Sequence, residues 1–183
     1  MRVIIGMTGA SGSAFGVQFL KECPGEKYLV MSRWARSVLH QETGLTPEDL
    51  ASHAKKIFSN EDMNAPFASG SNPFDAFVIL PCSVTTLARI ANGIGDTLIS
   101  RTAEVALKEK RRLIICVRET PLSGIALENA LKLSRAGAVI MPVSPPFYSQ
   151  PKSLDDLYSG FASKVMSLLG IPTTVGWRAE ELD

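Results

Sequence analysis

Short apolar runs alternate along this chain with stretches in which apolar residues recur every three or four positions. Residues 3–7, 28–31, 77–80, 113–117 and 139–141 are rich in Val, Ile or Leu and bounded by Gly, Pro, Ser or charge. Runs that are apolar at successive positions, and so on both faces, predict strands of a parallel sheet covered from both sides. The stretches between them predict helices. Phe15, Phe19 and Leu20 follow Ser11-Gly12-Ser13; Leu87, Ile90 and Ala91 follow Ser83; Ile99, Ala103, Ala106 and Leu107 come next. Ile125, Leu127, Leu131 and Leu133 precede Gly137, a helix stop. The fullest stripe is Leu154, Leu157, Phe161, Val165 and Leu168, with Ser153 as N-cap and Asp155-Asp156 in the first turn. Gly170-Ile171-Pro172 ends it and leaves 171–183 as a C-terminal tail. Residues 60–74 have no periodicity, and loops of that length are as a rule functional or disordered.

Strand and helix in alternation predict an α/β fold: one doubly wound, mostly parallel sheet with helices on both faces, Rossmann- or flavodoxin-like, in a single domain. The 183 residues fit one domain, and an apolar fraction of 45% excludes a disordered chain. A net charge of +1 argues against nucleic-acid binding by general electrostatics. No run approaches the roughly 18 apolar residues of a membrane span. The start, Met1-Arg2-Val3-Ile4-Ile5-Gly6, reads as a strand and not as a signal peptide. Cys23, Cys82 and Cys116 are odd in number and form no CxxC, so neither a disulfide framework nor a zinc site is expected. A cytoplasmic protein is the expectation.

Ligands of such sheets sit at the carboxyl ends of the strands, which directs attention to the segments that follow them. Thr8-Gly9-Ala10-Ser11-Gly12-Ser13 is a glycine turn opening a helix, able to present N–H groups to an anionic or electron-rich partner, or simply to turn the chain. It matches neither GxGxxG nor GxSxG. Pro81-Cys82-Ser83-Val84-Thr85-Thr86 repeats the logic, as helix caps or as donors to a heteroaromatic edge, with Cys82 as buried filler. Arg101 and Lys108, seven apart on one helix, share a face from which both could reach a phosphate. Arg118-Glu119 follows a strand directly and offers a guanidinium and a carboxylate, as an ion pair or as ligand groups. Glu42 is a second candidate carboxylate. Three prolines around Phe147-Tyr148 suit a rigid pocket wall or lid, or a plain crossover. Lys164 reads as a surface lysine.

Taken in order, these segments resemble one family, the flavin prenyltransferases of the UbiX/Pad type. The match is carried by Met7-Thr8-Gly9-Ala10-Ser11-Gly12, Pro81-Cys82-Ser83 with Thr86-Leu87, and the helix from Arg101 through Lys108-Glu109. It continues through Arg118-Glu119-Thr120-Pro121-Leu122-Ser123, Leu127-Glu128-Asn129, Gly137-Ala138-Val139-Ile140-Met141-Pro142 and Phe147-Tyr148 with Pro151-Lys152-Ser153-Leu154-Asp155-Asp156-Leu157. The resemblance implies that reduced FMN and dimethylallyl monophosphate are joined at flavin N5 and C6 without a metal. The prenylated FMN would then serve a UbiD-type decarboxylase. It implies a homo-oligomer, a dodecamer, with the flavin site at subunit contacts. By position, Gly9, Ala10, Ser11, Ser32, Ser83, Val84, Thr85, Thr86 and Arg118 match flavin contacts. Arg101, Lys108, Tyr148 and Lys164 match the prenyl-phosphate pocket, and Glu119, Glu42, Ser11 and Lys108 the catalytic set. Where some members carry a tryptophan, near Asp62–Ala65, this chain has Met63.

Three other readings compete. A flavin-dependent cysteine decarboxylase of the same fold group would need a catalytic histidine after an early helix, and His40 lies elsewhere. A carrier that only hands on FMN would need no second phosphate pocket. Direct decarboxylation of aromatic acids lacks an electron sink here without a modified cofactor.

Overall fold

In a computed structural model, which describes residues 1–173, six strands form one all-parallel sheet. They are β1 (Arg2–Met7), β2 (Glu26–Met31), β3 (Lys56–Ser59), β4 (Ala76–Cys82), β5 (Arg112–Val117) and β6 (Val139–Ile140). Their order across the sheet is β3-β2-β1-β4-β5-β6. The strands alternate strictly between two cores. Ile4, Phe77, Ile79, Leu113 and Ile115 point to one face, while Val3, Ile5, Val78, Leu80, Ile114 and Cys116 point to the other. That two-sided burial is why these runs are apolar throughout.

Six α-helices cover the faces: α1 (Ser13–Glu22), α2 (Arg33–Thr43), α3 (Val84–Ala91), α4 (Leu98–Lys108), α5 (Gly124–Arg135) and α6 (Leu154–Leu168). Leu87, Ile90, Leu98 and Ile99 place α3 and α4 on the first face. Val17, Phe19, Leu39, Phe161 and Val165 place α1, α2 and α6 on the second. Phe15 meets Tyr158 and Phe161 edge-on, with ring centres 4.8 and 5.2 Å apart, and locks α1 to α6. The winding reverses between β1 and β4, because α1 leaves toward one face and α3 toward the other. This is the topological switch point where such sheets bind ligands.

The structure differs from the sequence reading at four places. β3 carries only Ile57 and Phe58 between lysines and polar residues, too short a run to read as a strand. α2 buries only Ala35 and Leu39, so its pattern is thin. On α5, Ile125, Leu127 and Leu131 are exposed (73%, 54% and 50%) rather than core, because the helix covers the sheet edge with Ala126 and Leu133 instead. Residues 60–74 are pinned, not loose: Arg101 donates to the Ala68 carbonyl, Arg111 to those of Gly70 and Asn72, and Arg2 to that of Pro73. Most of the expected 171–183 tail lies outside the described residues. No described helix is long and apolar enough to cross a membrane.

Candidate functional site

At the carboxyl edge the parallel ladder continues one step into the loops. The N–H of Thr8 donates to Pro81, that of Ser32 to Met7, that of Arg118 to Cys82 and that of Val143 to Val117, each to the carbonyl and at 2.8–3.1 Å. The loops after β1, β2, β4 and β5 are therefore held side by side. They carry Gly9, Ala10, Ser11, Ser32, Ser83, Val84, Thr85, Thr86, Arg118 and Glu119, so most of the residues proposed for flavin contact and catalysis share one shelf.

Local chemistry explains each position. Ser32 caps α2 by accepting from the Ala35 N–H at 3.1 Å, and Ser83 caps α3 by accepting from the Thr86 N–H at 3.3 Å. The Ser83 hydroxyl also donates to that of Thr86 at 3.1 Å. A helix start leaves its first N–H groups without intrahelical partners, so those of Val84 and Thr85 face outward beside these hydroxyls. Gly12 adopts φ 97, a left-handed turn favouring glycine, and the Arg118 side chain runs past it. Glu119 accepts from the Thr120 N–H at 3.0 Å. Glu42 comes in from α2 to bond the N–H groups of Gly12 and Ser13, at 3.0 and 2.8 Å. Partial burial works to raise its pKa, but bonds from the Ser11 hydroxyl and the Ser13 and Gly12 N–H groups outweigh it and hold the carboxyl below its ordinary value. A carboxylate thus already occupies the start of α1.

The remaining candidates lie apart within one chain. Lys108 ends α4 at the edge where the strands begin; it pairs with Glu109 and lies beside Gly70. The six residues of β5 separate it from Arg118 by roughly 17–20 Å. Arg101 is tied to the Ala68 carbonyl and to Glu104, at 3.0 and 3.2 Å. Lys164 is exposed on α6, one turn beyond Gly160, whose Cβ position would meet Pro146 at 3.4 Å, so it shares a surface with the Tyr148 loop. Met63 is 41% exposed on the pinned segment. Cys82 is fully buried and its thiol pKa is pushed up by burial, as filler requires.

Sequence reasoning missed three residues at this edge. Trp34, 65% exposed, lies against the Gly9 turn so closely that a Cβ on Gly9 would stand 2.5 Å from its own Cβ. Asn60 holds the start of α4, its Oδ1 accepting from the Ile99 N–H at 2.9 Å. Thr8 bridges the two glycine- and serine-bearing turns. A tryptophan directly after the Ser32-Arg33 turn was the one signal available. At the opposite edge, an aromatic cavity of about 150 Å³ is lined by Tyr28, Phe58, Phe67 and Phe74.

The shelf fits a flavin by its donor set: hydroxyls and helix-start N–H groups for ring carbonyls, with the Arg118 guanidinium beside them. Fold and edge together define a flavin-type nucleotide-binding α/β protein. Comparison with known proteins makes this specific. Residues 1–165 match the Flavoprotein family. The chain is 45% identical over 172 residues to the flavin prenyltransferase UbiX of Thermoplasma acidophilum, covering 93% of this chain and 96% of that one. It is 43% identical over 173 residues to the mitochondrial flavin prenyltransferase PAD1 of Saccharomyces cerevisiae, covering 93% and 72%. The crystal structure of AnUbiX (PadA1) with FMN and dimethylallyl pyrophosphate superposes with a TM-score of 0.91 at 40% identity, covering 97% and 98%. A dodecameric FMN-dependent UbiX-like decarboxylase from Escherichia coli O157:H7 gives 0.92 at 40% identity, covering 97% and 99%. The cysteine decarboxylase TvaF, at 17% identity, TM-score 0.64 and coverage of 86% and 98%, shares the fold alone. The chain belongs to the Flavoprotein family and, within it, to the UbiX-type flavin prenyltransferases.

Proposed function

We propose that this enzyme transfers a dimethylallyl group from its phosphate ester to reduced FMN, bonding it at N5 and C6 and releasing phosphate. The observation that carries the reading is the juxtaposition of Glu119 and Arg118 with the Ser11 and Ser83 turns along one stapled edge. Bound reduced FMN supplies the nucleophilic positions. The chain supplies the rest. The Arg118 guanidinium, beside the flavin, offsets the negative charge that builds on the departing phosphate as the allylic C–O bond breaks. The Ser83–Thr86 hydroxyls orient the acceptor ring, which is a proximity task. Glu119 would hand a proton to the prenyl alkene, making the cation that C6 attacks, and take back the proton that C6 then loses. Ser11, held by Glu42, fixes the turn beneath.

Arg101, Lys108, Tyr148 and Lys164 complete the donor-phosphate pocket only when copies of the chain assemble, Lys108 coming from a neighbouring copy. The exposure of Arg118, Glu119 and Thr85 in one chain supports this. We read the assembly as a dodecamer in the cytoplasm, where three free cysteines are stable, and a UbiD-type decarboxylase as the recipient of the prenylated flavin. The donor is read as dimethylallyl monophosphate, although the AnUbiX structure was solved with the pyrophosphate. Release of phosphate from the monophosphate, or of pyrophosphate from the pyrophosphate, measured anaerobically with reduced FMN tests the proposal. Turnover with either donor supports it and ranks the two. Flavin binding without release with both returns the carrier reading, and carbon dioxide release from an aromatic acid by the chain alone returns the decarboxylase.

A further inference from the structure

The regular pairing of β1 with β4 ends at Gly6 and Ile79, and a bulge interrupts β4 before Cys82. Here the two chains part toward opposite faces. Pro81 has no N–H and can offer the next step of the ladder only its carbonyl. Thr8 meets it. Its N–H donates to the Pro81 carbonyl at 3.1 Å, its hydroxyl donates to the same carbonyl at 3.0 Å, and that hydroxyl accepts from the Ser83 N–H at 2.8 Å. At 2% exposure it is sealed from solvent. One side chain therefore ties the turn carrying Gly9, Ala10 and Ser11 to the turn carrying Ser83, Val84, Thr85 and Thr86.

We propose that Thr8 is a positioning residue that sets the width of the crevice between these two turns, and with it the fit of the flavin. This rests on the flavin-binding reading above. The buried hydroxyl spends its only proton on Pro81 and receives Ser83, so it acts through its neighbours and not on a ligand. Valine has the same shape but can neither donate nor accept. It leaves the Pro81 carbonyl its bond from the Thr8 N–H, and it strands the Ser83 N–H. A stranded N–H in this half-buried turn seeks a new acceptor, which rotates the Ser83 turn and alters the crevice.

The test titrates the full chain and its Thr8→Val and Thr8→Ser variants with FMN, followed by flavin fluorescence and visible circular dichroism, beside thermal melts without flavin. Thr8→Val is expected to weaken FMN binding by about tenfold or more and to change the bound-flavin spectrum. Thr8→Ser, which keeps both bonds, restores affinity and spectrum. Wild-type affinity and spectrum in Thr8→Val overturn the proposal, whatever its melting temperature. If Thr8→Val does not fold, Thr8→Ala carries the comparison, since it leaves room for a water between Pro81 and Ser83. Failure of both to fold assigns Thr8 to folding alone and overturns the proposal. A wild-type chain that takes up no FMN overturns the flavin reading itself, an outcome distinct from an unaffected variant beside a binding wild type.

Discussion

Both oxygens of Glu42 stand 3.0 Å from the Gly12 N–H, so a carboxylate carried by α2 closes the turn that opens α1. The bonds that lower its pKa exist only in the folded chain. A carboxyl depressed on folding contributes stability above its unfolded value, here 4.5, and loses it as pH falls through the lower folded value. Thermal melts from neutral to acid pH should therefore show wild type losing stability as the carboxyl protonates. Glu42→Gln should start lower at neutral pH by about 0.5–1 kcal/mol, the site being largely exposed, and should lack that part of the acid loss. Parallel pH curves for the two would contradict the role.

Gly16 lies where α1 crosses β4. A Cβ there would stand 2.5 Å from the Leu80 carbonyl oxygen and 3.0 Å from the Met7 side chain. The methionine can move, but the carbonyl cannot without disturbing the sheet. Gly16→Ala should cost about 1–3 kcal/mol in urea denaturation. It should also weaken FMN binding, because α1 carries the Gly9–Ser11 turn. An unchanged denaturation midpoint would show that the helix has slack the structure does not display.

Lys108 and Glu119 sit at opposite edges of the sheet within one chain. If neighbouring copies share a site, subunits with Lys108→Ala and subunits with Glu119→Gln, each inactive alone, should regain activity when unfolded and reassembled together. Random mixing leaves some sites with both residues intact. Mixed assemblies with no activity would place both residues in a single-chain site or remove one of them from the reaction.

The doubly wound fold was legible because the sheet buries both faces, and residues such as Val78 and Ile79 are apolar for opposite cores. The edge strand β3 and the polar helix α2 were not, since each buries too little to leave a pattern. Ile125, Leu127 and Leu131 misled for the converse reason: their spacing is helical, but the described chain puts nothing over them. The turns that form the shelf could be picked out as the segments after the strands, while flavin as their ligand came from the family resemblance. Thr8 could not, because its importance lies in Pro81 and Ser83, which are more than 70 positions away. Nor can spacing tell that Arg101 spends its guanidinium on Ala68 and Glu104 in its own chain.

The most direct test of the central claim weighs the flavin. The purified protein is incubated anaerobically with reduced FMN and dimethylallyl monophosphate, and the extracted flavin is measured by mass spectrometry beside the Glu119→Gln variant. The account predicts a gain of one C5 prenyl unit with wild type; in the variant the gain is absent, or it belongs to an N5-adduct of the same mass that the flavin absorbance spectrum separates from the closed ring. Flavin recovered unchanged from wild type with both mono- and diphosphate donors would contradict it.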